Sequence, residues 1–510
     1  MTRRPARQAR TAGAQGRKAA VDPVTLRVVS GALRAACEEM GAVVIRAAHS
    51  ANIKERRDAS CALFDPVGQM VMQAEHIPVH LGAMPAAVEA IMAEDHAPGV
   101  AWVLNDPFRG GTHLPDVTVI TPAFAGDGTL LGFAVNRAHH ADVGGPTPGS
   151  MPADSTTLAD EGVVISPRRL DEAAIEELVA LMRQPAQRRA DLRAQLAANR
   201  TGVERLRELH DRARPAGLQA AMSETIDYAE RRMRACLAAL PDGTLRASDV
   251  LEAIEGDLEL RLEARVSGDE LLLDFTGSAA QHGGNLNCPL SVTRSACWFA
   301  VRVLTDPDIP PTAGAFRPVR VLAPEGSLLN ARPPAAVVAG NVETSSRVAD
   351  LVLAAFGRAL GQGTMNNLTL GTDRFTYYET LGGGQGACAD ADGPSGVHVA
   401  MSNTLNTPVE ALELEFPLRV VSYAVRRGSG GAGRRRGGDG VVRELEARED
   451  MSFSLLTERR RHPPRGAEGG EDGALGRNLL DGKELPPKAG GSLRPGQRLR
   501  IETPGGGGFG

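Results

Sequence analysis

The sequence predicts an α+β protein of several units, in which mixed α/β N-terminal and central regions accompany a helical segment and a β-rich C-terminal unit. Three observations support this fold class. The chain has 510 residues, which is too long for one ordinary core and suggests about three folding units. Helical periodicity and strand-like alternation occupy different stretches of the chain. The 58 glycines and 33 prolines indicate many turns between these stretches.

Five segments follow from these patterns. We expect a disordered basic tail over 1–20, an α/β region over 21–165, a helical segment over 166–240, a mixed α/β central region over 241–425 and a β-rich unit over 426–510.

The first ordered element is expected to be a helix that begins at Asp22-Pro23, a capping residue followed by a residue suited to the first helical position. Apolar residues then recur at steps of three and four, which places them on one face. They are Leu26, Val29, Leu33, Cys37, Met40 and Val44. Between about 60 and 165, short apolar runs separated by Gly, Pro and Asp turns predict strands joined by functional loops.

Helical periodicity returns from Leu170 to Leu240, where Pro185 and Pro215 divide it into three segments. One apolar stripe consists of Leu192, Leu196, Val203 and Leu206; a second consists of Leu218, Met222, Ile226, Ala229, Met233 and Leu237. The alternating run 258–266 and the apolar run 271–275 flank Ser267-Gly268-Asp269, a pattern typical of a hairpin. Strand and turn patterns dominate after about 425.

Charge and composition exclude several classes of protein. The formal charge is −5, and the tail carries six positive charges and no acid, so the rest of the chain carries −11. Such an acidic body with only 18 aromatic residues argues against nucleic-acid binding. No apolar run approaches the ~18 residues of a membrane span, and no apolar stretch follows Arg3-Arg4 as a twin-arginine signal requires. Six scattered cysteines without a C-x-x-C pair favour a soluble protein of the reducing cytoplasm.

The densest polar clusters are 105–116 and 137–145, which are separated by one expected strand. Histidine and carboxylate side chains together suit one divalent transition metal, Zn, Mn or Fe. Pro115 prevents a regular helix between His113 and Asp116, so these two side chains must converge across a turn. The competing interpretation is that Asp106 and Asp116 cap turns and that the histidines are ordinary hydrogen-bonded residues.

Strand alternation separates the neighbouring histidines. If residues 133–142 form a strand, His140 and Asp142 share a face and His139 points to the other face. This alternation favours His140 as the ligand and gives His139 a supporting or substrate-binding role.

Two further histidines, His76 and His80, are four residues apart, but Pro78 between them excludes a helical zinc site. Either could approach the 113–142 cluster, or be an ordinary buried histidine. The amide-rich runs 340–345 and 403–410 are interpreted as structural loops. The glycine runs 382–386 and 505–510 lack the Lys-Ser/Thr of a phosphate loop and a following helix, so we expect no ATP or dinucleotide site in this chain. A G-x-S-x-G nucleophile turn is also missing.

Several long motifs carry a resemblance to a known family. They are Ile53–Asp58 before Ser60–Asp65, Ala74–Gly82, the 105–116 and 137–151 clusters, Gly363–Asn367 and Glu502–Gly510. From about residue 21 to 510 the chain resembles the hydantoinase B family, the B-type subunits of ATP-dependent N-methylhydantoinases. It is also similar to the C-terminal half of 5-oxoprolinase and to a large subunit of acetone and acetophenone carboxylases. It departs at Phe509, where Tyr is expected in many relatives, and in its basic tail.

The resemblance implies a division of labour between two proteins. A separate A-type ATPase subunit would phosphorylate a small cyclic amide, and this chain would complete the hydrolysis with a metal-activated water, as part of a hetero-oligomer. His113, Asp116 and one of His139 and His140 are implied as metal ligands, with Asp142 as a further ligand or an orienting carboxylate. Asp142, His139, His76 and His80 are the candidate catalytic residues. The alternatives are a carboxylase subunit and a non-catalytic scaffold of the ATPase subunit.

Overall fold

Four β-sheets with helices packed against them make up the described part of the chain, which in the computed structural model is residues 21–74, 77–213 and 215–510. A helical stretch over 172–238 and a strand-rich stretch over 440–502 are separate along the chain, and this confirms the α+β class. The expected disordered tail, residues 1–20, lies outside the described residues. None of the described helices is long and apolar enough to cross a membrane.

The helices of the described residues are α1 Pro23–Ala47, α2 Ala51–Lys54, α3 Ala83–Glu89, α4 Glu172–Val179, α5 Pro185–Ala213, α6 Pro215–Ala238, α7 Leu290–Leu304, α8 Ala313–Phe316, α9 Ser345–Ala355 and α10 Val409–Glu415. A π-helical turn, Gly340–Thr344, leads directly into α9.

The strands are β1 Ala59–Phe64, β2 Met70–Ala74, β3 Ala101–Leu104, β4 Asp116–Phe124, β5 Leu130–His139, β6 Arg168–Leu170, β7 Gly243–Ala253, β8 Gly256–Ser267, β9 Glu270–Asp274, β10 Val319–Leu322, β11 Asn367–Gly371, β12 Thr376–Glu379, β13 Leu418–Arg426, β14 Gly440–Ala447, β15 Met451–Leu456, β16 Arg477–Leu480, β17 Lys483–Leu485, β18 Lys488–Leu493 and β19 Arg498–Glu502.

The strands form one six-stranded, two four-stranded and one five-stranded sheet. The strand orders are β2-β1-β5-β4-β3-β6, β10-β9-β8-β7, β12-β11-β15-β18 and β13-β14-β19-β16-β17. Neighbouring strands are antiparallel, except that β9 and β10 are parallel. The expected hairpin is confirmed, because β8 and β9 pair with Ser267 opposite Glu270. The β-rich character after about 425 is confirmed by strands β14 to β19.

The first helix begins where the sequence predicts. The Asp22 side chain accepts hydrogen bonds from the backbone N–H groups of Val24 and Thr25, which satisfies two donors that have no partner within the helix. The apolar stripe of α1 from Val29 to Val44 is buried against α5 and the β1–β2 pair. The helical segment is also confirmed, and the long α5 lies across β4 and β5.

The hydrophobic cores join distant parts of the sequence. One core contains Phe64, Leu262, Val348 and Leu456, so its members come from widely separated segments. A second core joins α1 and α5 with the outer face of the six-stranded sheet, and a third joins the two C-terminal sheets. Segments that look separate in the sequence therefore share packing in the fold.

The C-terminal glycine run forms a backbone layer with other glycine-rich segments. The N–H of Gly506 donates to the carbonyl of Gly438, and the N–H of Gly431 donates to the carbonyl of Gly506. A Cβ atom on Gly506 would lie 2.1 Å from the carbonyl oxygen of Gln385. Glycine is required there because backbone approaches backbone more closely than any side chain allows.

We therefore expect Gly506→Ala to destabilise the protein by about 1–3 kcal/mol, as overpacking of a rigid neighbourhood does. Gly126→Ala is the matched control, because no atom lies within 4 Å of the Cβ position at this exposed turn. Its effect should stay within about 0.5 kcal/mol. Chemical denaturation of both variants measures the difference, and equal stability of the two would contradict the close packing.

Candidate metal centre

The centre forms at one end of the β4–β5 pair. Asp116 is the first residue of β4 and pairs directly with His139, the last residue of β5. Residues directly opposite each other in an antiparallel pair have their side chains on the same face. His113 joins them through the turn before β4, in which the N–H of Asp116 donates to the carbonyl of His113.

Three donor atoms meet in a nearly equilateral triangle. The Nε2 atom of His113 lies 3.3 Å from Oδ1 of Asp116 and 3.3 Å from Nδ1 of His139. The Nδ1 atom of His139 lies 3.2 Å from the same Oδ1 atom. Ligands at about 2.1 Å from a tetrahedral zinc ion are about 3.4 Å apart, so the triangle has the dimensions of three metal ligands. The three side chains are at most 3% exposed and form a group that could hold a metal ion.

The second carboxylate oxygen of Asp116 is also engaged. The Thr112 hydroxyl donates to Oδ2 at 2.6 Å, and Nε2 of His80 lies 3.4 Å from it. The Nδ1 atom of His80 lies 2.9 Å from the hydroxyl of Ser60. The sequence leaves open whether His80 approaches the 113–142 cluster. In the structure, His80 belongs to this cluster.

Electrostatics keeps the carboxylate ionised. Burial by itself raises the pKa of Asp116, but the charges of His113 and His80 and hydrogen bonds with His113 and His139 outweigh it. The pKa of Asp116 therefore lies well below its usual value. Burial lowers the pKa of His139, which favours the neutral imidazole that a metal needs. A carboxylate oxygen and two imidazole nitrogens suit Zn, Mn or Fe(II) as ligands.

The geometry favours His139 over His140, the reverse of the order that strand alternation suggests. The two side chains do point to opposite faces, but Asp116 and His113 lie on the face of His139. The Nε2 atom of His140 lies 2.9 Å from Oε1 of Gln195 on α5. Burial lowers the pKa of His140 to about 4, so it is a neutral partner of that amide. The register of β4 against β5 decides between the two histidines.

The carboxylate of Asp142 is hydrogen-bonded to backbone N–H groups of the loop that follows β5. Its Oδ1 atom accepts from the N–H of Gly144 at 2.7 Å, and its Oδ2 atom accepts from the N–H of Gly149 at 2.8 Å. The Arg183 guanidinium lies 3.1 Å from the same Oδ2. These contacts assign Asp142 to holding the loop after β5, in place of the ligand or catalytic role expected for it. Asp106 accepts from the N–H of Phe108, the turn-capping role that one interpretation gives it. His76 lies outside the described residues.

The cavity has a second wall, which no pattern in the sequence predicts. Beside His80, His113, Asp116 and His139, the cavity is lined by Asp58, Asn341, Tyr378, Thr380, Ser402, Asn403 and Thr404, among others. Asn341, Asn403 and Thr404 belong to the two amide-rich runs that the sequence suggests are structural loops, so that interpretation is incomplete. The buried Oδ1 of Asn341 has no hydrogen-bond partner, an orphaned polar atom that could have marked its run as functional only once its burial was known.

Tyr378 carries no signal in the sequence. Its ring stacks on His139, with ring centroids 4.6 Å apart and planes inclined by 14°. Its hydroxyl donates to Oδ1 of Asn367 at 2.6 Å, and the Asn367 amide donates in turn to Glu343. The tyrosine thus fixes the orientation of the His139 ring from a strand more than 200 residues away.

A model of the family described as hydantoinase B/oxoprolinase matches residues 22–510. The chain belongs to this family. It is 40% identical over 529 residues to 5-oxoprolinase 1 of Arabidopsis thaliana, a match that covers 96% of this chain and 42% of the relative. It is 30% identical over 535 residues to a Pseudomonas protein whose name makes it the B-type subunit of a D-/L-hydantoinase, with 96% and 90% covered. The chain thus spans about two-fifths of the length of the 5-oxoprolinases that it matches.

Two solved structures share the fold of this hydantoinase B-family chain. The ATP-dependent caprolactamase of Pseudomonas jessenii superposes with a TM-score of 0.89 at 28% identity, covering 96% of this chain and 91% of that one. A nucleotide-free acetone carboxylase superposes with a TM-score of 0.85 at 18% identity, covering 96% and 76%. The second likeness concerns the fold alone.

Substitutions of the neighbouring residues His139 and His140 test the ligand assignment. We expect His139→Ala to lose most of the metal, because it removes one corner of the triangle. His140→Ala should retain close to one metal ion per chain, since His140 bonds to Gln195 on the other face. Elemental analysis of protein purified without chelator checks this, with circular dichroism to confirm folding. Equal metal in wild type and His139→Ala, or loss only in His140→Ala, would contradict the assignment.

Proposed function

We propose that this chain is the B-type subunit of an ATP-dependent cyclic amidohydrolase. It would open the ring of a hydantoin-like or 5-oxoproline-like substrate that a separate A-type ATPase subunit has phosphorylated. The observation that carries the proposal is the buried triangle of His113, Asp116 and His139 inside a cavity. The names of the relatives support the substrate class, and the hydantoinase relative, named as one of several subunits, supports a partner protein.

The low reactivity of amides gives a reason for two proteins to act in sequence, one to phosphorylate the substrate and one to hydrolyse it. Resonance makes the carbonyl carbon of a cyclic amide a poor electrophile, and phosphorylation of its oxygen removes that protection. A divalent metal held by His113, Asp116 and His139 would supply a water of lowered pKa as the nucleophile. One buried negative charge and two neutral imidazoles leave such a site with net positive charge, which favours hydroxide over water.

The protein's own residues would organise the attack. Thr112 and the histidines hold the Asp116 carboxylate in one orientation, so the triangle is formed before substrate arrives. His80 lies with its Nε2 3.4 Å from Oδ2 of Asp116 and its Nδ1 on the Ser60 hydroxyl, so it would help to hold the carboxylate in place. Burial of the triangle and of His80 keeps bulk water away from the activated substrate.

Reconstitution tests the proposal directly. The chain is combined with its A-type subunit, ATP and either 5-oxoproline or a hydantoin, and ring-opened product is measured by chromatography. We expect product only when both proteins and ATP are present. Bicarbonate-dependent carboxylation of a ketone would instead establish the carboxylase alternative. Full hydrolysis by the A-type subunit alone would establish the scaffold alternative.

Asp116→Asn separates a ligand from a turn cap. The substitution keeps the shape but removes the negative charge that a dication requires, so we expect activity to fall by about 100-fold or more, on the order of what loss of metal support costs. Asp106→Asn is the matched control, because Asp106 caps a turn and Asn caps about as well. Both variants should copurify with the partner. If Asp116→Asn keeps more than about a tenth of wild-type activity, Asp116 is not a ligand.

A further inference from the structure

Arg56 is a buried cation whose described surroundings offer it only neutral partners. Its side chain is fully buried, and it donates to the carbonyl of Tyr378 at 2.7 Å and to the hydroxyls of Thr380 and Thr404 at 2.8 and 3.2 Å. Among the described residues, its guanidinium forms no ion pair within 4 Å. Taking a charge out of water is costly unless an opposite charge compensates it, so this arrangement needs a reason.

Other buried arginines of the chain do have acidic partners. Arg347 pairs with Asp249, Arg443 with Glu379, and Arg459 with Asp350. Among the fully buried arginines of the described residues, Arg137 resembles Arg56, since it donates to the Thr118 hydroxyl and the Gly110 carbonyl. Arg56 differs from the paired arginines in its place in the fold.

That place is directly behind the metal cavity. The two threonine hydroxyls that Arg56 contacts both line the cavity, as does Ser402. The guanidinium also lies 4.7 Å from the centre of the Tyr378 ring, the ring that stacks on His139. Arg56 thus supports the wall beside the metal-binding cluster without entering the cavity itself.

The hydrogen bonds from Arg56 determine which way the Thr380 and Thr404 hydroxyls point their hydrogen atoms. A guanidinium only donates, so it occupies acceptor positions on Thr380 and Thr404. These two hydroxyls are 2.6 Å apart and share one hydrogen atom, which leaves the other to point away from Arg56. The oxygen of Thr404 lies 3.5 Å from Nε2 of His398, whose Nδ1 is hydrogen-bonded to the Ser402 hydroxyl.

His398 connects Thr404 to Ser402 through its two ring nitrogens. Burial and the charge of Arg56 lower its pKa to about 4, so the ring is neutral and has one donor and one acceptor nitrogen. With Nε2 accepting from Thr404, Nδ1 donates to Ser402, and the hydrogen of Ser402 is free to point into the cavity. A chain of donors then runs from the permanent cation to the cavity surface.

We propose that the wall of Thr380, Ser402 and Thr404, backed by Arg56 and His398, is a subsite for one anionic phosphoryl oxygen of the activated substrate. The proposal rests on the proposed function, because that function makes the substrate a phosphorylated cyclic amide. The cavity, about 20 Å³, has room for a group the size of one water molecule, which fits a single oxygen atom. The bound oxygen would bring a negative charge towards Arg56, which has no carboxylate of the described residues within 4 Å. Ser402 would contact the substrate, because its hydrogen is the one left free by this chain, and Arg56, Thr380, Thr404 and His398 are positioning residues.

The test measures binding of inorganic phosphate by calorimetry to metal-loaded protein of verified metal content. Ser402→Ala removes the donor that faces the cavity, and Thr404→Val breaks the hydrogen-bond chain that orients it, so we expect each to raise the dissociation constant about tenfold. Ser402→Thr retains the hydroxyl and should restore binding. Thr376→Val is the control. The Thr376 hydroxyl lies on β12, is buried without a hydrogen-bond partner, and is not part of the cavity lining. It should bind phosphate as wild type does.

Arg56→Lys adds a test of charge, and we expect it to bind phosphate better than Arg56→Met. Since Arg56→Met can fail to fold, the Ser402 and Thr404 variants decide the outcome. The subsite is wrong if both bind phosphate within about twofold of wild type at equal metal content. If phosphate binding depends on the hydroxyls but the reconstituted enzyme opens no cyclic amide, the proposed function fails and the subsite stands. If the reconstituted enzyme opens the ring but removal of the hydroxyls leaves phosphate binding unchanged, the subsite is wrong and the proposed function stands.

Discussion

The pairing of Asp116 with His139 across β4 and β5 is the interaction on which the site depends. It places a carboxylate and an imidazole on one face at the end of a buried strand pair, and the turn before β4 adds His113. Each strand is held by neighbours on its other side, β1 beside β5 and β3 beside β4, so the register cannot slip without disturbing the whole six-stranded sheet. The ligand triangle is therefore fixed by the fold and does not rely on flexible loops.

The second wall of the cavity depends on long-range packing. Tyr378 on β12 stacks on His139, and Arg56 before β1 donates to Thr380 and Thr404. These contacts join the N-terminal sheet to a segment about 350 residues further along the chain. A buried cation that has no carboxylate within 4 Å among the described residues costs stability in the free protein, and we infer that its use is in binding an anion. The two walls thus complement each other, one suited to a metal ion and the other to an anionic oxygen.

Periodicity is sufficient to predict the regular elements. The cap at Asp22, the helices of the 170–240 segment and the β8–β9 hairpin depend on local sequence, and the structure confirms them. The His/Asp cluster is also visible in the sequence, because its members lie close together along the chain. The choice between His139 and His140 is not, since β5 ends at His139 and only the register against β4 shows that Asp116 lies opposite His139. Tyr378 and Ser402 reach the cavity through tertiary packing, which leaves no local pattern.

X-ray absorption spectroscopy of the purified, metal-loaded chain tests the central claim most directly. We expect nitrogen and oxygen neighbours at about 2.0–2.2 Å, with the multiple-scattering pattern of two imidazole rings and no sulfur. Two imidazoles correspond to His113 and His139, and the oxygens to Asp116 and solvent or substrate. A spectrum dominated by sulfur at about 2.3 Å, or one without imidazole scattering, would show that the metal binds elsewhere and would contradict the account.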